Sequence, residues 1–407
     1  MSAAPATAWV VGTFDTKAAE LSYIASLLRA AGLRTVTVDI GTRSPAGVAD
    51  INAREVASHH PDGAGAVFDA ADRGVAVIAM SQALCALVRE RLATGTIAGM
   101  LGVGGSGGSS MIAPAMRLLP IGVPKLLVST MAAGDVSAYV GVTDMTLMYP
   151  VTDIAGLNRL SRTVLANAAH ALAGMLLHHA PPADTRDKPS IGLTMFGVTT
   201  PCVQAVRDLL ADEFDTQVFH ANGAGGRTLE ALAAAGMLRA VVDITTTEVG
   251  QHLAGGVCDA GPNRLDAAAR HGLPWVGSVG ALDMINWGAQ STVPERHRGR
   301  TFHVHNADVT LMRSNTQEMQ AAAQRIAAQL NQATGPVRLL LPLGGLSMLD
   351  APGQPFHDPQ ANAAFFAVLQ QHFVVSDTHH LIALPHHIND PAFSAALAYA
   401  LRAVGSP

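Results

Sequence analysis

A nine-residue glycine-rich run, GVGGSGGSS at residues 102–110, restricts the possible folds of this chain more than any other feature. It follows an apolar segment at residues 97–101 and precedes a helix-like stretch that begins near Met111, so it predicts a strand-to-helix turn. Glycines in such a turn adopt positive φ and let the backbone approach a ligand closely. The free N–H groups of the following helix and its dipole attract negative charge. The run therefore predicts an anion site, with phosphate as the first candidate.

Two nucleotide motifs compete for this run. Gly102, Gly104 and Gly107 satisfy G-x-G-x-x-G, but a dinucleotide site also needs an acidic residue about 20 residues further on, at the end of the next strand. The next predicted strand, residues 125–128, is followed by hydroxyl side chains instead. A P-loop needs a lysine that the run lacks. NAD, FAD and a P-loop nucleotide are thus weaker interpretations than a phosphate site of another kind.

The same run contains a candidate nucleophile. Residues 104–108 match G-x-S-x-G, the elbow in which a strained turn exposes a serine hydroxyl, here that of Ser106. This alternative predicts an ATP-independent hydrolase or carbon–carbon lyase. The run would then serve as an anion hole for a metabolite, and a histidine, Ser106 or a metal would perform the cleavage. A tight turn that binds nothing is a further interpretation.

Composition favours a cytoplasmic protein with more than one domain. The chain has 407 residues, 49% of them hydrophobic and 14% charged, which exceeds the usual size of a single core. The net charge of -5, without a basic tract, predicts no nucleic-acid partner. Three separated cysteines support neither a disulfide framework nor a cysteine metal site. The N-terminus lacks a secretory pattern, and the apolar residues 164–177 are too short to span a bilayer, so we expect no membrane partner.

Apolar strand-like runs alternate with alanine-rich helical stretches along the whole chain, which predicts an α/β fold with parallel sheets covered by helices. The predicted strands are residues 9–11, 35–38, 75–80, 97–101, 125–128, 190–195, 217–220, 240–244, 275–279 and 338–341. Three prolines and four charged residues at residues 180–189 predict a linker. We therefore predict two Rossmann-like, doubly wound parallel-sheet subdomains, residues 1–183 and 189–407, which face a ligand cleft.

A cluster of polar residues follows the first predicted strands. Lys17 could neutralise a phosphate, and Thr13 and Thr16 could donate hydroxyl hydrogen bonds to it. Asp15 or Asp39 could hold Mg²⁺ through carboxylate oxygens. The alternative is structural: Asp15 or Thr16 would cap the first helix, and Lys17 would be a solvated residue of its first turn.

The C-terminal half is rich in histidine, with nine of the seventeen histidines between residues 297 and 387. His303 and His305 would share one face of a strand. Further candidate metal ligands or acid–base groups are Asp308, His357, Asp358, His386, His387 and Asp390. Because no zinc-motif spacing occurs, a metal centre, acid–base catalysis and scattered structural histidines stay open. Arg296 and Arg298 could bind an anionic substrate or lie in a solvated loop.

Several separate motifs, in order and over nearly the whole chain, carry a resemblance to a known family. They are VVGTFDTKAAEL at residues 10–21, VDIGT at 38–42, LGVGGSGGSS at 101–110, and the later stretches AGPNRLDAA, TVPERHRGR, HNADVTLMR and HINDPAF. With these motifs the chain resembles the family of the ATP-binding domain found at the N-terminus of tomato mosaic virus resistance protein. The resemblance implies two Rossmann-like subdomains, ATP bound in the N-terminal one, and self-association into a homo-oligomer.

Carried over by position, the resemblance implies a nucleotide site that joins the first strand end to the glycine-rich run. The implied cofactors are ATP and Mg²⁺. The candidate residues are Gly12, Thr13, Asp15, Lys17, Asp39, Gly104, Gly105, Ser106, Gly107, Gly108, Ser109 and Thr130. Plant members of the family carry an additional TIM-barrel domain, so a separate TIM-barrel protein is an expected partner of this chain.

Three functions follow as expectations. The first is a nucleotide-binding protein or ATP-dependent enzyme that acts on a small acidic metabolite held between the two lobes. The second is the ATP-independent hydrolase or lyase, and the third is a partner-binding protein that the nucleotide stabilises.

Overall fold

The computed structural model describes residues 7–43, 48–178 and 188–405. The chain divides into two compact units, whose described parts are residues 7–178 and residues 188–405. Most of the predicted linker, residues 180–187, lies outside the described residues. Within the described ranges, no helix is long and apolar enough to cross a membrane.

The first unit is a five-stranded parallel sheet with helices on both faces. Its elements are β1 (Thr7–Gly12), α1 (Phe14–Ala30), β2 (Thr35–Asp39), α2 (Ala53–Ala57), α3 (Gly65–Phe68), α4 (Arg73–Ala93), β3 (Ile97–Gly104), α5 (Ser106–Met116), β4 (Lys125–Ser129), α6 (Ser137–Val140), β5 (Thr146–Met148) and α7 (Arg159–Leu177). The strand order is β2-β1-β3-β4-β5. Alternate β1 residues enter separate cores: Trp9 packs with α4 and α5, and Val10 packs with α1 and α7.

The second unit contains a six-stranded parallel sheet and a small antiparallel one. Its elements are β6 (Ser190–Met195), α8 (Thr200–Leu210), β7 (Asp215–His220), α9 (Ala224–Ala234), β8 (Ala240–Asp243), α10 (Thr247–Ala254), α11 (Asp266–His271), β9 (Trp275–Gly277), β10 (Met284–Trp287), β11 (Phe302–Asn306), β12 (Val309–Arg313), α12 (Thr316–Leu330), β13 (Val337–Pro342), α13 (Pro359–His372), β14 (His379–Leu384) and α14 (Pro391–Gly405). The large sheet has the order β7-β6-β8-β9-β13-β14, and the small one has the order β10-β12-β11.

Both parallel sheets follow the same winding rule. In each, the second strand lies on one side of the first, and the third strand lies on the other side. The direction of winding therefore reverses between β1 and β3 in the first unit and between β6 and β8 in the second. Doubly wound sheets bind ligands at such a reversal point, outside the carboxyl ends of the strands. The predicted α/β fold with two parallel sheets is confirmed.

One predicted strand is wrong. Residues 75–80 belong to helix α4, because Asp72 caps the helix by accepting a hydrogen bond from the backbone N–H of Val75 at 3.0 Å. Val75 and Ile78 are exposed, whereas the buried positions of α4 recur at helical spacing. The helical period of the buried residues is not apparent in the sequence of this run, because apolar residues occupy the exposed face of the helix as well.

The predicted start of the helix after the glycine-rich run is also wrong. Strand β3 continues to Gly104, and α5 begins at Ser106 rather than near Met111. A Cβ on Gly104 would lie 2.7 Å from the backbone nitrogen of Ser109 and 2.8 Å from the Cα of Gly108. Glycine at this position therefore allows the strand to turn directly into the helix, so the run itself forms the first turns of α5.

Candidate functional site

A cavity of about 330 Å³ lies at the carboxyl ends of β1, β2 and β3. We call it the N-terminal cavity. Its lining residues come from the turns after these strands and from the first turns of α1, α4 and α5: Thr13, Asp15, Thr16, Lys17, Thr42, Arg43, Arg73, Val77, Gly105, Ser106, Gly107, Gly108 and Met111. The cavity thus lies at the reversal point between β1 and β3, where the fold is expected to bind a ligand.

The first turn of α5 presents unpaired backbone N–H groups to this cavity. Gly105 is the N-cap residue, and no side chain caps the helix. The first intrahelical bond runs from the Ser109 nitrogen to the Gly105 oxygen at 2.8 Å. The N–H groups of Ser106, Gly107 and Gly108 precede that bond, so they have no acceptor within the helix. Together with the helix dipole, these groups give this end of the cavity a positive potential.

Cationic side chains add to this positive potential. Among the described lining residues, Lys17, Arg43 and Arg73 are cationic and Asp15 is the single carboxylate, so three positive charges accompany one negative charge. The Arg73 guanidinium lies beside the glycine-rich run, because a Cβ on Gly107 would be 3.8 Å from its Nη2. A cavity with this charge balance favours an anion that carries more than one negative charge.

Lys17 and the two predicted threonines lie at the start of α1. The Lys17 Nζ donates to the Ile154 carbonyl oxygen at 2.7 Å, which positions the ammonium while leaving it further N–H donors. The hydroxyl oxygens of Thr13 and Thr16 lie 2.8 Å apart. Thr13 is the N-cap residue, so neither Asp15 nor Thr16 has the capping role that the structural alternative gave them.

The two aspartates predicted for Mg²⁺ lie in different surroundings. Asp15 lines the cavity, whereas Asp39 is fully buried and does not. The Asp39 Oδ1 accepts hydrogen bonds from the backbone nitrogens of Phe14 at 2.9 Å and Gly41 at 2.8 Å. Burial raises the pKa of Asp39, and these two donors oppose the rise. Asp39 therefore joins the end of β2 to the start of α1, and Asp15 is the carboxylate that faces the cavity.

Four other predicted residues support the cavity without lining it. Gly12 is closely packed, because a Cβ there would be 2.8 Å from the side chain of Leu21. Ser109 is buried, and its hydroxyl oxygen lies 2.6 Å from that of Ser129. The Thr130 hydroxyl would be 3.6 Å from a Cβ on Gly105. Gly104 makes the tight turn described above.

Sequence reasoning missed three polar lining residues, Thr42, Arg43 and Arg73, as well as the apolar Val77 and Met111. Arg73 escaped notice because the residues after it were assigned to a strand, which removed it from any helix start. Asp72, followed by buried positions at helical spacing, was the signal that could have identified it. Thr42 and Arg43 directly follow Gly41 at the end of β2, and their position at a strand end was the available signal.

The second unit also begins a helix on a glycine-rich turn, residues 222–226, but fills it with its own carboxylate. The Glu248 Oε1 accepts hydrogen bonds from the backbone nitrogens of Gly223 at 2.6 Å and Gly226 at 3.0 Å. A Cβ on Gly226 would lie 2.0 Å from the Glu248 Oε2, so glycine is required for this contact. The first turn of α9 therefore binds an internal anion.

Arg264 continues this buried network. Its Nε donates to the Glu248 Oε2 at 2.8 Å, and its two Nη atoms donate to both oxygens of Asp243 at 2.6 Å. Glu230 is a third partner at 3.3 Å. Burial raises the pKa of Glu230 to about 7, although the charge of Arg264 opposes the rise. At the reversal point between β6 and β8, the hydroxyl of Thr194 donates to Asp243 at 2.7 Å.

The predicted histidine candidates lie in separate surroundings. His303 makes an edge contact with Phe356 at 6.4 Å, whereas the His387 Nε2 lies 2.9 Å from the Ser347 carbonyl oxygen. The remaining candidates have local roles or exposed positions: Asp358 caps α13, Asp390 accepts from the His387 backbone nitrogen, His357 lies 4.0 Å from Asp350, His386 is half-buried and its carbonyl oxygen accepts from the Gly344 nitrogen at 2.9 Å, and His305 and Asp308 are exposed. Within residues 7–43, 48–178 and 188–405, no group of three or more His, Cys, Asp or Glu residues could hold a metal ion.

The two predicted arginines of the second unit have nearby acceptors. The Arg296 Nη2 donates to the Ala254 carbonyl oxygen at 3.4 Å. Arg298 forms an exposed ion pair with Glu295 at 2.8 Å. Neither residue lines the N-terminal cavity.

Comparison with known proteins agrees with the motif resemblance. Models of the uncharacterised protein family UPF0261 match the chain, its N-terminal domain at residues 6–181 and its C-terminal domain at residues 188–405. A UPF0261 protein of Mesorhizobium japonicum is 50% identical over 390 residues, which span 96% of this chain and 97% of that protein. The ToMV resistance protein Tm-1 of Solanum lycopersicum is 40% identical over 408 residues, which span 95% of this chain and 54% of the tomato protein. The resemblance inferred from the motifs is confirmed.

Proposed function

The chain belongs to the UPF0261 family, and we propose that it binds the phosphate groups of a nucleotide, ATP, in the N-terminal cavity. The observation that carries this proposal is the convergence of unpaired N–H groups and three cationic side chains on one cavity at the reversal point of the sheet. Multiply charged phosphates are the common biological anions that such a site recognises. The choice of ATP rests on the resemblance to an ATP-binding domain.

The size of the cavity suits the phosphate chain. Its volume of about 330 Å³ lies near the lower end of the range of small-molecule sites, which begins at about 300 Å³. In this proposal the cavity holds the triphosphate, and the base lies beyond its mouth. Arg73 and the first turn of α5 bind the phosphate oxygens, and Lys17 neutralises part of the phosphate charge.

The donor set of the cavity is compatible with Mg²⁺. In nucleotide sites this ion uses one or two carboxylates, phosphate oxygens and waters. Asp15 supplies one carboxylate, and the hydroxyl pair of Thr13 and Thr16 lies in the same lining. Bound there, Mg²⁺ would offset part of the phosphate charge. Asp15 is therefore the residue that we propose as the protein ligand.

The same arrangement supports an ATP-dependent reaction on a small acidic metabolite. Phosphoryl transfer depends mainly on positioning and charge neutralisation, which Lys17, Arg73 and the α5 N–H groups would provide. The hydrolase alternative has less support. Ser106 lines the cavity, but no histidine lies among the described lining residues to activate its hydroxyl.

The test is a calorimetric titration of the full-length protein with Mg-ATP and with pyrophosphate. Arg73→Ala should weaken both ligands by about 10- to 100-fold, since a charged hydrogen bond contributes about 1.5–3 kcal/mol. Arg89→Ala is the matched control, because Arg89 is an exposed arginine of the same helix outside the cavity. Equal affinities of the two variants, or no binding to the unmodified protein, would refute the proposal.

A further inference from the structure

A larger cavity, all of whose lining residues belong to the second unit, contains a different kind of surface. It has a volume of about 560 Å³. It lies between the carboxyl ends of β6 and β7, represented by Phe196 and His220, and the small antiparallel sheet, represented by Asn286 and Leu311. We call it the apolar cavity. Its location at strand carboxyl ends is one at which α/β folds bind small molecules.

The lining of the apolar cavity combines apolar side chains with asparagines, one thiol and the two histidines His220 and His305. Among the residues that the structure describes, no Lys, Arg, Asp or Glu lines it. Six of its fourteen lining residues are valine, leucine or methionine, and two of these, Val257 and Met348, are 62% and 50% exposed. An ionised ligand would lose its hydration here without gaining a Lys, Arg, Asp or Glu partner among the described lining residues, which is costly. The walls therefore favour an uncharged and mainly apolar ligand.

The side-chain amide of Asn286 gives this cavity a hydrogen-bond donor, and its orientation is determined by the neighbouring amide of Gln251. The Gln251 Nε2 donates to the Met284 carbonyl oxygen at 3.3 Å and to the Asn286 Oδ1 at 2.9 Å. Because a carbonyl oxygen only accepts, the orientation of the Gln251 amide is determined, and Asn286 must present its oxygen to Gln251. Asn286 is 2% exposed and lines the cavity, and its Nδ2 has no hydrogen-bond partner in the described part of the chain.

A ligand that carries a carbonyl or an equivalent acceptor can bind the Asn286 Nδ2, which donates no hydrogen bond within the described part of the chain. The rings of Phe196 and His220 add a flat surface, since they stack with centroids 5.2 Å apart and an interplanar angle of 20°. Both residues line the cavity, so an aromatic ligand can extend the stack.

We propose that the apolar cavity binds an uncharged aromatic small molecule that carries a hydrogen-bond acceptor. The apolar cavity shares no lining residue with the N-terminal cavity among the described residues, and the proposal for it does not rest on nucleotide binding. Cys258 at its wall is a neutral thiol, because burial raises its pKa to about 11. The thiol therefore adds no charge to the cavity at neutral pH.

Nile red is a suitable probe, since it is a neutral aromatic dye with a carbonyl group and its emission shifts to shorter wavelength in apolar surroundings. We expect saturable binding to the full-length protein with one site per chain. Val257→Trp should weaken this binding at least tenfold, because the indole fills the cavity mouth. The matched control is Val375→Trp, which changes a valine of similar exposure, 64%, outside the cavity. Binding that does not saturate, or equal affinities of the two variants, would overturn the proposal.

The charge of the ligand can be tested by displacement of Nile red. The nearly isosteric compounds 2-acetylnaphthalene and 2-naphthoate differ chiefly in charge. The uncharged ketone should displace the dye at a concentration at least tenfold lower than the carboxylate. Equal or better displacement by the carboxylate would overturn the assignment of an uncharged ligand. Arg73→Ala should leave Nile red binding unchanged, so failure of the nucleotide proposal and failure of this one give different results.

Discussion

The chain contains two glycine-rich helix starts, and they differ in what binds them. The first turn of α5 opens onto a cavity lined by Lys17, Arg43 and Arg73. The first turn of α9 is closed, because Glu248 accepts hydrogen bonds from its backbone N–H groups. A glycine-rich helix start is therefore not in itself a ligand site. Whether it binds a ligand depends on whether the fold supplies an internal carboxylate.

The difference also shows how each unit balances its charges. In the second unit, Arg264 pairs with Asp243 and Glu248 in the protein interior, so positive and negative groups are already matched. In the first unit, Asp15 is the single carboxylate among the described residues that line the cationic cavity. The arrangement in the second unit stabilises the fold, whereas the arrangement in the first unit leaves a surplus of positive charge that a bound anion would neutralise.

The largest expected effect comes from removing Arg264, the cationic partner of the buried carboxylates in the second unit. Arg264→Met leaves the buried carboxylates of Asp243 and Glu248 without their partner, which should lower the free energy of unfolding by about 3–5 kcal/mol. Denaturant unfolding followed by circular dichroism would measure it. Arg298→Ala, which removes an exposed ion pair with Glu295, is the control and should have little effect. Similar stabilities of the two variants would show that the buried network does not stabilise the second unit.

The converse change fills the open site. Gly107→Asp should weaken Mg-ATP binding by more than about tenfold, since its carboxylate would occupy the place next to Arg73 that we propose for phosphate. Stability should be retained, because an acidic residue is favourable in the first turn of a helix. Gly107→Ala is the control for the added Cβ, which would meet the Arg73 Nη2 at 3.8 Å, an ordinary contact distance. Unchanged ATP affinity in the aspartate variant would place the nucleotide elsewhere.

A smaller effect concerns the pH dependence of the closed site. Burial raises the pKa of Glu230 from 4.5 to about 7, so the folded state holds a proton that the unfolded state releases. The stabilisation is complete below the unfolded pKa of 4.5 and is lost as the pH rises to about 7. Glu230→Gln should flatten this part of the stability profile, measured by unfolding at several pH values. An unchanged slope would contradict the buried, protonated state of Glu230.

Much of the fold could be predicted from the sequence. Parallel strands buried on both faces are continuous apolar runs, and the predicted runs at residues 97–101 and 125–128 match β3 and β4. The strand prediction for residues 75–80 was wrong for a related reason, because an apolar helix and a buried strand have similar composition. Periodicity over the whole of α4 would have separated them.

The site was predictable in part. Thr13, Asp15, Lys17 and residues 105–108 were identified because polar and glycine residues follow strands directly. The pairing of Glu248 with the first turn of α9 could not be found in this way. It joins distant segments through Arg264, and nothing in local spacing indicates which carboxylate a buried arginine will bind.

The most direct test is hydrogen–deuterium exchange of the full-length protein with and without Mg-ATP. The backbone N–H groups of the first turn of α5 have no acceptor within the helix, so a bound phosphate should slow their exchange. We predict slower exchange in peptides that cover residues 105–109 and unchanged exchange in peptides that cover residues 223–226, where Glu248 already binds. Absence of protection at residues 105–109, or protection at residues 223–226 instead, would contradict the assignment of one open and one closed anion site.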